Sequence, residues 1–266
     1  MSDSLDQLIE TSNKMIDIAK GMIQSCHLKK NKVYSDSRFV VAFFLRRSLE
    51  IFESFLILVK ENRIIDSAVL LRSFMDMGIN LGFIFAKDIE EREKEIRASK
   101  YLLEGNWQQL KLTECIIEEL KEININIEAR KDELEEQIKF MKDKLKKKFG
   151  VKKWKRLPSI RQRAEMSNFE VLKTAYNFAY VDLSSIEHHN VLFGQHYVDS
   201  EKCEPIVEIN HLEHFPQFKP SVSIVLSRMI FIEILSAFND AFQLKWEEKL
   251  SEMRKVHEGE YALLKE

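Results

Sequence analysis

Tyr176, Tyr180, Ser184 and His188 recur at every fourth position of the stretch Tyr176-Asn-Phe-Ala-Tyr-Val-Asp-Leu-Ser-Ser-Ile-Glu-His-His-Asn190. On a helix this spacing drifts slowly round one face and lays hydroxyls and an imidazole in one stripe. An imidazole titrates near neutral pH and can serve as acid, base or metal ligand. Ser184 lies one turn from His188, the spacing of a nucleophile and its base. Glu187, His189 and Asn190 crowd the same end. No triad partner and no oxyanion loop can be assigned to them. The stripe equally suits a polar seam between helices, with His188 hydrogen-bonded to a neighbour. For an isolated stripe that structural use is the commoner one.

A second constellation lies far upstream. Arg72 and Asp76 are four residues apart and share a helical face with Ile65, Val69 and Phe83. That face points into protein, where charges must be paired or hydrogen-bonded. An arginine held by Asp76 could clamp a phosphate or carboxylate. A purely structural ion pair explains the two residues as well, and taken alone they favour it.

A third signal is basic. Residues 142–156 hold nine Lys or Arg and one acid, Asp143, with Phe149 and Trp154 interleaved. Lys147, Lys148, Lys152, Lys153 and Arg156 could contact phosphates while Trp154 stacks on a base. A solvated arm end with a core tryptophan reads equally well, and Glu90, Glu91, Glu93 and Glu95 offset much of the charge. Cys203, His196, His211 and His214 match no zinc spacing, so no metal is expected. The chain has no GxGxxG, Walker loop, GxSxG or HExxH, and no cofactor is expected.

The elements that must position these residues are helical. Gly (7) and Pro (4) are too few for turn-rich β architecture or Gly-rich phosphate loops. Charged residues at 32% and hydrophobic ones at 45% fit a soluble helix-rich chain. Helical periodicity predicts helices over 4–26, 37–61, 64–86, 159–166, 168–196 and 221–256. Ser35-Asp-Ser supplies caps for the second. Pro205, Pro216 and Pro220 mark an irregular stretch over 199–220, in which 205–209 could run extended. Between them, residues 88–148 are dominated by Glu and Lys. Ile116, Leu120, Ile123 and Ile127, then Leu134, Ile138, Met141 and Leu145, space like the seam of a coiled-coil hairpin, with a phase break of the kind a stutter makes.

The expectation is therefore an all-α protein. Residues 1–87 and 151–266 form a single helical bundle, and 88–150 form an inserted charged antiparallel hairpin. Such a seam wants a partner, so a homodimer or a partner protein through the arm is expected. A net charge of −2 gives no global drive toward nucleic acid or membrane. The greasiest segment, Phe39 to Val59, holds Arg46, Arg47, Glu50 and Glu53, which argues against a membrane span. An acidic start and three widely spaced cysteines, Cys26, Cys115 and Cys203, point to a reducing cytoplasm.

Three features occur here in one order: Leu70-Leu-Arg-Ser-Phe-Met-Asp76 on a greasy helix, Trp154 before a short helix, and the Tyr-x3-Tyr-x3-Ser-x3-His stripe. Together they resemble the bacterial family catalogued as domain of unknown function 5677, over roughly residues 35–250. That family usually carries Glu where this chain has Asp76. The resemblance implies a helical fold more than an activity. More loosely, the chain is similar to the HEPN helical proteins, many of which are RNases of toxin and phage-defence systems. Their hallmark is an Arg followed four to six residues later by His on one helix. The 176–196 segment has no such pair, and Arg163 stands far before His188. In a HEPN-like reaction Arg72 would come from another helix.

Two functions follow as expectations. In the first, an RNase-like or phosphate-directed enzyme acts on RNA or another phosphate-bearing substrate. Arg72 binds phosphate, His188 is acid and base, and Ser184 joins them in catalysis. Tyr180, Asp76, Asn190 and His189 hold substrate. In the second, the same residues form a buried network in a non-catalytic module that binds a partner protein or nucleic acid.

Overall fold

The computed structural model describes residues 2–26, 35–86, 88–119, 127–153, 155–167, 172–173, 176–180, 183, 198–199, 204–205 and 219–263. The protein is an all-α helical bundle. In chain order the helices are α1 (Ser2–Ser25), α2 (Asp36–Lys60), α3 (Ile64–Ile84), α4 (Glu91–Glu119), α5 (Ile127–Phe149) and α6 (Ile160–Met166), followed by a π turn at Tyr176–Tyr180, then α7 (Pro220–Phe242) and α8 (Glu247–Leu263). A minimal antiparallel pair, β1 (Val198–Asp199) with β2 (Glu204–Pro205), sets Val198 opposite Pro205.

Local chemistry explains the main boundaries. The Ser35 hydroxyl accepts from Arg38 N and caps α2. Glu95 of α4 accepts from Asp36 N and Ser37 N at 3.2 Å each, satisfying two more donors of that helix start. Ser159, after Pro158, closes a capping box with Gln162 that begins α6.

The core is built where α2, α3 and α7 meet. Phe52, Phe74 and Phe231 contribute one ring each, with Phe52 and Phe231 centroids 4.9 Å apart and Phe52 and Phe74 5.8 Å apart. α1 and α8 pack on α7, α4 on α2 and α3, and α6 and the π turn on α3. α3 comes close to α7 at Gly78. A methyl there would lie 2.6 Å from Ile230 Cγ2 and 3.2 Å from Leu172 Cδ2. Gly78→Ala is expected to destabilise the protein by about 1–3 kcal/mol through overpacking, against a helix-propensity gain of about 1 kcal/mol. A urea melt measures the sum; a midpoint raised by the full propensity gain would show that α3 and α7 are not in close contact there.

The hairpin has its own small core. Leu103 and Leu110 of α4 close on Leu134, Ile138 and Leu145 of α5, with Trp107 and Met141 at the margin. These α4 and α5 residues thus share one apolar cluster within the chain. On α4 it lies over Ile96–Leu110, N-terminal to the Ile116 start read from spacing, and Ile116 itself is half-exposed. The hairpin is also tied to the bundle. Lys144 pairs with Asp36 at 2.7 Å, and Ala98, Tyr101 and Leu102 of α4 pack into the main core.

Two expectations are corrected. The last helix is broken: Gln243 and Lys245 take left-handed φ values of 54° and 64°. Asn239 bridges the break, accepting from Trp246 N at 2.9 Å and donating to Glu247 at 3.0 Å. Trp246 then seats on α1 at Gly21. No Gly or Pro marks this turn, so periodicity runs through it. Second, the most apolar helices are α3 and α7 rather than α2. Both are long and apolar enough to cross a membrane by length and composition, yet 72% and 67% of those windows are buried in the bundle, as core helices are.

Candidate functional site

Arg72 and Asp76 stand one turn apart on α3, and their side chains are only 15% and 29% exposed. They form an ion pair. The π turn brings Tyr180 to them across more than a hundred residues. Its hydroxyl accepts from Arg72 Nη2 and donates to Asp76 Oδ1, both at 2.8 Å. The Arg72 guanidinium also lies 4.9 Å from the centre of the Tyr180 ring.

The π turn itself matters. Residues 168–196 read as ordinary helix from the sequence, but Tyr176–Tyr180 is wound more loosely. The wider turn keeps residues four apart on one side, and the Tyr176 and Tyr180 rings stack with centroids 4.8 Å apart. Single π turns of this kind are rare and recur at functional sites.

Burial, and then the neighbouring Asp76 carboxylate, push the Tyr180 phenol well above its usual range, with Arg72 only partly opposing. At neutral pH Tyr180 is therefore a fixed donor and neither a base nor a nucleophile.

The network extends beyond the residues that spacing singles out. Asn80, one turn past Asp76, donates to the Asp76 carbonyl at 2.8 Å. Its side-chain oxygen accepts from Arg163 of α6. Arg163 also donates to the Pro158 carbonyl at 2.9 Å. Burial pulls this guanidinium below its ordinary value, opposed by Glu104, Tyr101, Asp76 and Tyr180 around it. Burial raises Tyr101 in turn. The Arg72–Asp76–Asn80 spacing of four and four was visible in the sequence. Arg163 was not, because sequence distance from His188 says nothing of its distance from α3.

Of the candidate site residues, the fold unites Arg72, Asp76 and Tyr180. Ser184, His188, His189 and Asn190 lie outside the described residues, as does Trp154. Lys147, Lys148, Lys152, Lys153 and Arg156 are exposed on the end of α5 and the segment after it. Lys147 faces Asp143 at 3.9 Å, and Lys148 covers the Phe149 ring at 5.2 Å. Arg156 lines a pocket of about 240 Å³ with Glu104, Trp107, Gln108 and Lys111.

A larger cleft of about 880 Å³ opens between the starts of α2 and α4 and the α7–α8 junction. Its acids outnumber its bases, but several are in structural use. Glu95 caps α2, Glu233 meets Arg254 at 3.4 Å, and Glu247 holds Asn239. No group of three or more His, Cys, Asp or Glu placed to hold a metal occurs among the described residues.

No curated protein and no solved structure matches the chain. Residues 38–205 match the profile described as Family of unknown function (DUF5677), a span running from α2 past the π turn and enclosing Arg72, Asp76, Arg163 and Tyr180. The chain belongs to this family of unknown function, DUF5677.

Proposed function

We propose that this protein is a phosphate-directed enzyme acting on RNA. One observation carries the reading: the Tyr180 hydroxyl is bonded to both Arg72 and Asp76. The α3 pair and Tyr180, with Tyr176 stacked on it, thereby become parts of one network. Asp76 and Tyr180 fix the plane of the Arg72 guanidinium, which is what planar recognition of a phosphate requires. A partly desolvated arginine is worth more to a developing phosphorane charge than one in water.

In this reading His188 takes the proton of the attacking 2′-hydroxyl and returns one to the leaving oxygen. Ser184, His189 and Asn190 position the substrate. The arginine stands far before the histidine in the chain, a departure from the HEPN pattern of Arg and His on one helix. The reading suits a cytoplasmic protein of a bacterial toxin or defence system.

The withdrawal of Arg72 and Asp76 from solvent favours a second reading, a non-catalytic module stabilised by the same network. Incubation with total RNA separates the two. Wild type should cleave, while His188→Ala and Tyr180→Phe should each lose at least tenfold in rate with helicity unchanged by circular dichroism. Equal cleavage by all three proteins, or none by any, would leave the non-catalytic module standing.

A further inference from the structure

The pocket beside Trp107 is built from one face of α4. Glu104, Trp107, Gln108 and Lys111 follow steps of three, one and three residues, and Arg156 closes the far side. Trp107 is half-buried and packs against the hairpin core. Lys142 sits 4.8 Å over the indole ring. At about 240 Å³ the pocket is smaller than a drug-sized site, which begins near about 300 Å³, and it suits a single planar ring.

Its rim is cationic. Lys111 and Arg156 are exposed, and Lys152, Lys153 and Lys155 continue the basic surface beside Arg156. The one carboxylate in the pocket, Glu104, is engaged elsewhere: it accepts from Leu157 N at 2.9 Å and faces Arg163. An indole beside well-spaced cations is what unstacked bases on a charged backbone require. A duplex keeps its base faces covered and cannot use the ring.

We infer that this pocket is a docking subsite for single-stranded RNA, with one base against Trp107 and the flanking phosphates on Arg156 and Lys111. The inference rests on the RNA-directed reading and adds to it. Glu104 of the pocket faces Arg163, which bonds Asn80 and so links the pocket to the Arg72–Asp76 network.

The test is fluorescence anisotropy with a labelled oligouridine strand, against a labelled duplex as control. Wild type should bind the single strand in preference to the duplex. Lys111→Gln/Arg156→Gln changes exposed residues and should keep the fold. It should weaken single-strand binding about tenfold at low salt and shrink the log–log salt slope by about 1.4. Trp107→Phe, which keeps a ring in the hairpin core, should bind less tightly with an unchanged salt slope. Wild-type-like binding by both variants, equal affinity for strand and duplex, or no binding by wild type would overturn the subsite. Binding as expected without cleavage by wild type would uphold the subsite and reject the enzyme. Cleavage with binding indifferent to both variants would do the reverse.

Discussion

Replacing Arg228 with leucine is expected to cost about 3–5 kcal/mol of folding stability, the range for removing one partner of a buried ion pair. Arg228 is fully enclosed within α7. Glu260 of α8 pairs with it and is itself only 11% exposed. Thr11 of α1 donates to the other Glu260 oxygen at 3.0 Å. The pair thus ties together three helices that pack at one side of the bundle. Without the guanidinium, the Glu260 carboxylate would be left in a low-dielectric setting with the Thr11 hydroxyl as its hydrogen-bond donor among the described residues. Removing both charges should be far milder, because apolar replacement of a whole buried pair is often neutral. Arg228→Leu/Glu260→Leu should therefore recover most of the loss. Urea unfolding of the wild type and both variants measures this. A double variant no more stable than the single one would reject the account.

Acidification from pH 7 to pH 4 should remove about 3 kcal/mol of stability through His257 alone. This imidazole is 5% exposed, and neither ring nitrogen has a hydrogen-bond partner among the described residues. Burial, and then the nearby Arg228 charge, lower its pKa to about 4. In the unfolded chain the value returns to about 6.5. The sign follows from these two values. As pH falls through about 6.5 the unfolded state takes up a proton while the folded state stays neutral, so stability declines. The decline ends near pH 4, where the folded protein is protonated too. The interval of two and a half pH units, at about 1.36 kcal/mol each, sets the magnitude. Other carboxylates titrate in the same range, so the comparison is between wild type and His257→Leu. The variant should lose less stability than wild type over this interval, whatever its stability at pH 7. Parallel curves would mean that His257 titrates normally.

The Arg228 cluster carried a sequence signal that spacing rules did not use. Arg228 is the one charged residue between Pro220 and Ile232, and a lone charge in an apolar run is a buried charge in want of a partner. Its partners could not be named, because Glu260 and Thr11 come from opposite ends of the chain. The helices α2 and α3 were legible nearly to the residue, since Ser35 caps one and a short polar link separates them. The α7–α8 break was not. It depends on an asparagine side chain and on a tryptophan finding Gly21, neither of which leaves a period.

The sequence by itself determined that the chain is helical, that its hairpin is charged outside with a narrow apolar seam, and that Arg72 and Asp76 share a face. These follow from local spacing, which acts over one or two turns. Only the tertiary structure decided that Tyr180 joins that pair, that Arg163 reaches Asn80, and that Trp107 borders a cationic pocket. Those contacts link residues from 49 to 108 positions apart. They arise from how packed helices bring distant turns together, and a π turn that aligns Tyr176 with Tyr180 shifts that alignment in a way helical periodicity does not anticipate.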